Sequence, residues 1–220
     1  MDSQTSDLGR APSSATKEDL LRIARDLFTT QGYAATSLDS IVAAAHVTKG
    51  ALYHHFDGKA DLFAAVHREV EADAVRRIDA AIEAEPDPWS AARLGMHAYL
   101  QIARESAYRR IVIQEGPVML GLAGVRPDAR STFATVSRLV HGVLTAGEWQ
   151  LDDELLRTFS RVMFGAINSA GAAVAASADP EQEATRVETS LGLMIAALRQ
   201  ISREHRSLEA AVGELGTSLT

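Results

Sequence analysis

The sequence contains no cysteine in 220 residues. That absence excludes a disulfide framework, a zinc finger, an iron–sulfur site and any thiol nucleophile, and it fits a reducing compartment. Long apolar runs are missing too. Met1 to Ala15 is polar and lacks the apolar stretch of a secretory signal. The longest uncharged stretch, Val162 to Ala178, is 17 residues of mostly Ala, Gly and Ser. It is too short and too polar for a bilayer span of about 20 residues. A cytoplasmic protein without a membrane partner is expected. Nowhere do β-branched residues alternate with polar ones, and no internal repeat is visible. Cationic excess is lacking as well: 22 Lys and Arg face 29 Asp and Glu, for a net charge of −7. That balance argues against nucleic acid, because duplex affinity comes largely from cations that neutralise phosphates.

What is present reads as an ordinary globular chain. Hydrophobic residues make up 46% and charged residues 23%, enough to bury a core without staples. Residues 1–15 read as a flexible arm. From Thr16 the pattern turns helical, with Leu20, Ile23, Ala24, Leu27 and Phe28 on one face. Thr16 and Asp19 form a capping-box pattern, and Gly32 ends the helix. A second, short helix starts at Thr36, with Asp39 three residues on, and carries Leu38, Ile41, Val42 and Ala45. After a break at His46-Val47, Thr48 caps a third short helix containing Leu52 and Phe56. Two helices of about two turns joined by a tight turn have helix-turn-helix spacing. A longer helix begins after Gly58, with apolar residues at every fourth position from Leu62 to Ile82, and Glu85-Pro86-Asp87-Pro88 stops it. Five further helical stretches follow: Trp89 to Arg104, Tyr108 to Leu120, Asp128 to Ala146, Asp152 to Ala178 and Pro180 to His205. The expected fold is all-α with about nine helices.

Chemistry concentrates between Thr36 and Leu62. If Leu52 and Phe56 face the core, the third helix shows Lys49, Gly50, Tyr53 and His54 on its other side. A helix N-terminus and a cation favour phosphate, Gly lets a backbone approach closely, and Tyr and His supply hydrogen bonds. The run Gly32-Tyr33, Thr36-Ser37, Ile41, Ala45, Val47-Thr48-Lys49-Gly50, Leu52-Tyr53, His55-Phe56, Lys59 and Leu62 closely resembles the DNA-binding domain of TetR-type transcriptional regulators. The resemblance implies a helix-turn-helix domain over residues 16–62, a helical ligand-binding and dimerisation domain over 63–206, and a tail from 207 to 220. It implies that Ser37, Thr48, Tyr53, His54, His55 and Lys59 touch phosphates while Lys49 and Gly50 lie against base edges. It further implies a homodimer, most often a repressor, on a double-stranded inverted-repeat operator. The recognition helices would sit roughly 34–36 Å apart. A small-molecule effector would release the DNA, with no cofactor, metal or enzymatic activity. One departure is His46, where the family usually has Gly at a position that often needs a positive φ.

In the C-terminal part, Trp89, Met96, His97, Leu100, Ile113, Met119, Phe133, Trp149, Met163, Phe164 and Asn168 are the candidate effector contacts. They are large apolar residues with a few polar groups, the mix a concave site uses for a mostly hydrophobic ligand. The small residues Gly165, Ser169 and Ala173, with Leu191, Met194, Ile195, Leu198 and Ile201 on the next helix, are the candidate dimer interface. Ser14 and Lys17 match one element of a serine acyl-transfer motif whose companions are missing, and the seven His residues show no metal-ligand spacing. The rival reading is an all-α ligand-binding protein or enzyme with a purely structural helix-turn-helix. Another is an architectural DNA-binding factor with no ligand. The charge objection softens on inspection: residues 1–60 hold six cations and seven acids, so a DNA reader here would use a few placed groups and show a shallow salt dependence.

Overall fold

The computed structural model describes residues 12–121, 131–146 and 151–204, with side chains from Thr16 onward. Among them lie nine α-helices, one π-helical segment and no strand. The chain divides into two compact units, residues 1–69 and 70–220.

The first unit holds α1 (Pro12–Ala35), α2 (Leu38–Ala44), α3 (Lys49–His55) and the beginning of α4 (Lys59–Ile82). α1 starts four residues before the expected cap at Thr16. Gly32 breaks its regularity, as the sequence suggests, with φ 83 and ψ 167, and the chain resumes one short turn to Ala35. The apolar stripe of α1 supplies Leu20, Ala24 and Phe28, which meet Ile41, Leu52, Leu62 and Phe63 in a core where each is at most 1% exposed. Phe28, Tyr33 and Phe63 form an aromatic cluster with ring centroids 5.2–5.9 Å apart. Burying these side chains supplies most of the unit's stability, at roughly 1.5–3 kcal/mol for each large residue.

The second unit contains the remainder of α4, then α5 (Pro88–Ala103), the π-helical segment Tyr108–Glu115, α6 (Gly116–Leu120), α7 (Thr132–Thr145), α8 (Asp153–Ala176) and α9 (Pro180–Glu204). Side-chain caps set most starts. Asp87 caps α5 through the Ser90 amide at 3.1 Å, Ser131 caps α7 and Asp152 caps α8 through the Leu155 amide at 2.7 Å. Asp179 accepts from the Gln182 amide at 3.0 Å, with Pro180 opening α9, the arrangement its sequence implies. Helix α5 packs on α7, α8 and α9, and α7 packs along α8. The stretch from Tyr108 was expected to be α-helical throughout; its first eight residues are π-helical instead. No helix among the described residues is long and apolar enough to cross a membrane.

Candidate nucleic-acid interface and effector cavity

The turn between α2 and α3 is built from backbone hydrogen bonds. The Val47 amide donates to the Val42 carbonyl at 3.1 Å and the His46 amide to Ala43 at 3.3 Å, the paired bonds of a Schellman ending. Such an ending places its central residue in the left-handed region, and His46 has φ 55. Two caps fix the helices on either side. Ser37, not Thr36, caps α2: its hydroxyl accepts from the Ser40 amide at 3.0 Å, and Ser40 answers the Ser37 amide at 3.2 Å. Thr36 is buried and its hydroxyl donates to the Gly32 carbonyl at 2.8 Å, so its side chain is turned back onto the end of α1. Thr48 caps α3 as expected, accepting from the Ala51 amide at 3.2 Å.

With Leu52 and Phe56 buried, α3 turns Lys49, Gly50, Tyr53 and His54 outward, Tyr53 being 56% exposed. Lys49 is not alone there. Its ammonium lies 2.6 Å from the Asp39 carboxylate, and hydrogen bonding and charge attraction to Asp39 raise its pKa above the ordinary lysine value. Gly50 is helical and exposed, and a Cβ there would meet only the Thr48 hydroxyl, at 3.8 Å. Lys59 sits 4.3 Å from the Tyr33 ring centroid and donates to the Ala34 carbonyl at 3.4 Å, so it ties the end of α1 to the start of α4. His55 is half-buried, edge-on to His54 with ring centroids 5.0 Å apart.

The second unit encloses a cavity of about 90 Å³ between α4, α5, α7, α8 and α9. Ile78, Trp89, Met96, Tyr99, Val136, Met163 and Leu191 are among its walls, and no lining side chain is ionisable at neutral pH. Thr132 closes one edge, its amide and hydroxyl both donating to Glu71 of α4 at 3.2 Å. Tyr108, hydrogen-bonded to Thr132, is pushed up to about 12 by burial. Burial also raises the Tyr99 hydroxyl well above its ordinary value.

Residues 20–66 match the family described as bacterial regulatory proteins, tetR family, and residues 89–198 match the tetracyclin repressor-like C-terminal domain. A crystal structure of a TetR-family transcriptional regulator from Pectobacterium atrosepticum aligns with TM-score 0.72 and 31% identity, covering 86% of this chain and 97% of that one. The chain belongs to the TetR family. It is therefore a DNA-binding transcriptional regulator and not an enzyme. The transposon Tn10 TetC protein of Escherichia coli is 36% identical over 110 residues, 49% of this chain and 54% of that protein. The HTH-type transcriptional regulator AcrR of Shigella flexneri is 47% identical over 51 residues, 23% of this chain and 24% of AcrR. The matched region thus spans about half the length of the first relative and a quarter of the second.

In this TetR-family chain the expected DNA contacts are brought together only in part. Lys49, Gly50, Tyr53 and His54 share one exposed face, whereas Ser37 and Thr48 are engaged as caps, and His55 and Lys59 are half-buried. Asp39, read from sequence as a capping-box partner, is instead the counter-ion of Lys49.

The effector candidates separate further. Trp89, Met96 and Met163 line the cavity. His97 follows Met96 and so points about 100° away around α5, where its imidazole is exposed and 3.0 Å from Glu188. Leu100 is core but off the wall. Phe133 and Phe164 pack edge to face on each other at 5.2 Å and do not line the cavity. Ile113 is half-buried away from it, Asn168 and Met119 are exposed, and Trp149 lies outside the described residues.

Of the interface candidates, Leu191, Ile195 and Leu198 line the cavity instead of an outer face. Met194, Gly165, Ser169 and Ala173 are exposed, with Leu193 and Val162 beside them at 72% and 63%, and Ile201 is half-buried. Sequence reasoning missed Tyr99 and the α7 wall. The stripe Thr135, Val136, Leu139 and Val143 carried the helical spacing that could have found the latter.

Proposed function

We propose that the protein is a homodimeric, effector-responsive repressor that reads an inverted-repeat operator with the outer face of α3. The observation that carries the DNA reading is Gly50. Glycine inside a helix costs about 0.5–1 kcal/mol relative to alanine, and here no atom of the protein would be crowded by a Cβ. Its smallness serves something outside the chain, and a DNA backbone or base edge approaching α3 supplies that need. Lys49, Tyr53 and His54 surround it with a cation and hydrogen-bonding groups, Ser37, Thr48, His55 and Lys59 flank it, and helix spacing of one DNA turn would follow from two-fold symmetry. Residues 16–62 serve as the DNA-binding domain and 63–206 as the regulatory one, acting in the cytoplasm. The stripe of Val162, Gly165, Ser169 and Ala173 on α8, with Leu193 and Met194 on α9, supports the dimer. The apolar cavity supports a mostly hydrophobic effector, which would release DNA only by favouring the form that cannot bind it. Ile78 and Glu71 put α4 in contact with the cavity and its Thr132 edge, so α4 is the element an effector would move.

Selection of bound fragments from genomic DNA tests the operator. Enrichment of a palindrome is expected, and a flat distribution overturns the reading. Gly50→Ala tests its basis: fold stability holds or rises while affinity for the selected sequence falls at least tenfold, and unchanged affinity removes α3 from the groove.

A further inference from the structure

We propose that Asp39 and Lys49 act as one reading unit for a G·C base pair in each operator half-site, Lys49 on the guanine and Asp39 on the cytosine. The inference rests on the outer face of α3 entering the major groove, and it adds to that reading a base preference and a residue of α2. The observation is where the pair stands. Of Lys49, Gly50, Tyr53 and His54, which α3 turns outward, only Lys49 is permanently charged. The Asp39 carboxylate lies 2.6 Å from its ammonium, yet the two side chains stay 68% and 60% exposed, so their polar atoms remain open to a third group. The Ser37 and Thr48 caps hold the two helices, and the Val47 amide on the Val42 carbonyl at 3.1 Å fixes the turn between them. Donor and acceptor are thus presented side by side. Gly50, next to Lys49, has no side chain to hold a base edge away from a carboxylate on a single methylene.

A carboxylate on this face repels nearby phosphates and weakens binding to any duplex, unless a donor on the DNA meets it. In the major groove only cytosine N4 and adenine N6 donate. Charge order decides between them. A G·C pair carries both acceptors, N7 and O6, on guanine and its donor, N4, on cytosine. Guanine O6 and cytosine N4 are themselves hydrogen-bonded, roughly 2.9 Å apart, so an ammonium on one and a carboxylate on the other stay in contact. An A·T pair instead alternates acceptor, donor, acceptor. A carboxylate on adenine N6 would sit between N7 and O4, both of which repel it. The segregated charge of the Asp39–Lys49 pair therefore fits G·C.

Affinity of the full chain for the palindrome selected from genomic DNA tests this. Each cytosine of one half-site is replaced in turn by N4-methylcytosine, which keeps Watson–Crick pairing and blocks the amine hydrogen that faces the major groove. At one position the wild-type affinity is expected to fall roughly tenfold, the loss of one charge-assisted hydrogen bond. In Asp39→Ala the same replacement shifts affinity by less than about twofold, because the acceptor is already gone. Putting 7-deazaguanine opposite that cytosine removes N7 and weakens both proteins, through Lys49. A half-site with no position sensitive to N4-methylation overturns the assignment of Asp39, and that arm needs no variant to fold. Sensitivity that persists in Asp39→Ala overturns it too. 7-Deazaguanine without effect overturns the part given to Lys49. All three results leave the operator reading standing, whereas a selection that enriches no palindrome overturns that reading and this one together.

Discussion

His46 shows how one side chain is tolerated at a backbone angle it does not favour. The Schellman bonds demand φ near 55 there, and a side chain in that region costs roughly 1 kcal/mol relative to glycine. His46→Gly is therefore expected to raise stability by up to about 1 kcal/mol in urea unfolding. A fall would mean that the imidazole makes a stabilising contact. Tyr108 gives a second residue-scale consequence. Its folded value of about 12, against an ordinary 10, means that the folded state holds the phenol proton more tightly than the unfolded chain. That stability is fully present below the unfolded pKa and drains away as pH rises from 10 towards 12. Tyr99 acts in the same direction. Unfolding measured at pH 9 and pH 11 should show the loss, and Tyr108→Phe should flatten it.

At the scale of elements, what was legible in the sequence was local. Thr48 and Asp179 cap the helices they precede because a cap is a contact three residues long. The outward face of α3 followed from burying Leu52 and Phe56 four residues apart. The cavity was less legible: Leu191, Ile195 and Leu198 form an apolar stripe that fits an outer interface or an inner wall equally, and only the packing of α5, α7 and α8 around it chooses. Asp39 and Lys49 are ten positions apart and meet only because the His46 turn folds α2 onto α3. Such an exposed, solvent-screened pair adds little to stability, yet it matters for binding. A phosphate that engages Lys49 displaces a tethered carboxylate instead of a mobile ion, which flattens the salt dependence. Asp39→Asn is expected to tighten binding to unrelated DNA and to steepen the plot of log affinity against log salt by about 0.9. An unchanged slope would show that Lys49 meets no phosphate.

At the scale of the whole molecule, the exposed stripe on α8 and α9 is the surface that tests the proposed dimer. Val162, Gly165, Ser169 and Ala173 follow one another at spacings of three and four, which keeps them on one side of α8. Ser169→Arg sets a long cation in that stripe and is expected to yield monomers in sedimentation, with operator affinity falling together with the dimer. A dimer that survives moves the interface elsewhere. The chain's acid also has a place: six of its seven excess negative charges belong to residues 61–220. The residues expected to meet DNA are thus nearly balanced in charge, and net charge alone decides nothing about the partner.

The π-helical segment has a consequence for how this chain can vary in length. Its hydrogen bonds reach one residue further than those of an α-helix, so the eight residues from Tyr108 to Glu115 contain slack of one position. Removing a residue between Arg109 and Gln114 can close the segment to an α-helix and leave both of its ends where they are. The same deletion inside α8 turns every later side chain of that helix by about 100°, exchanging its cavity face for its outer one. A single-residue deletion is therefore expected to be absorbed between α5 and α6 and rejected in α8.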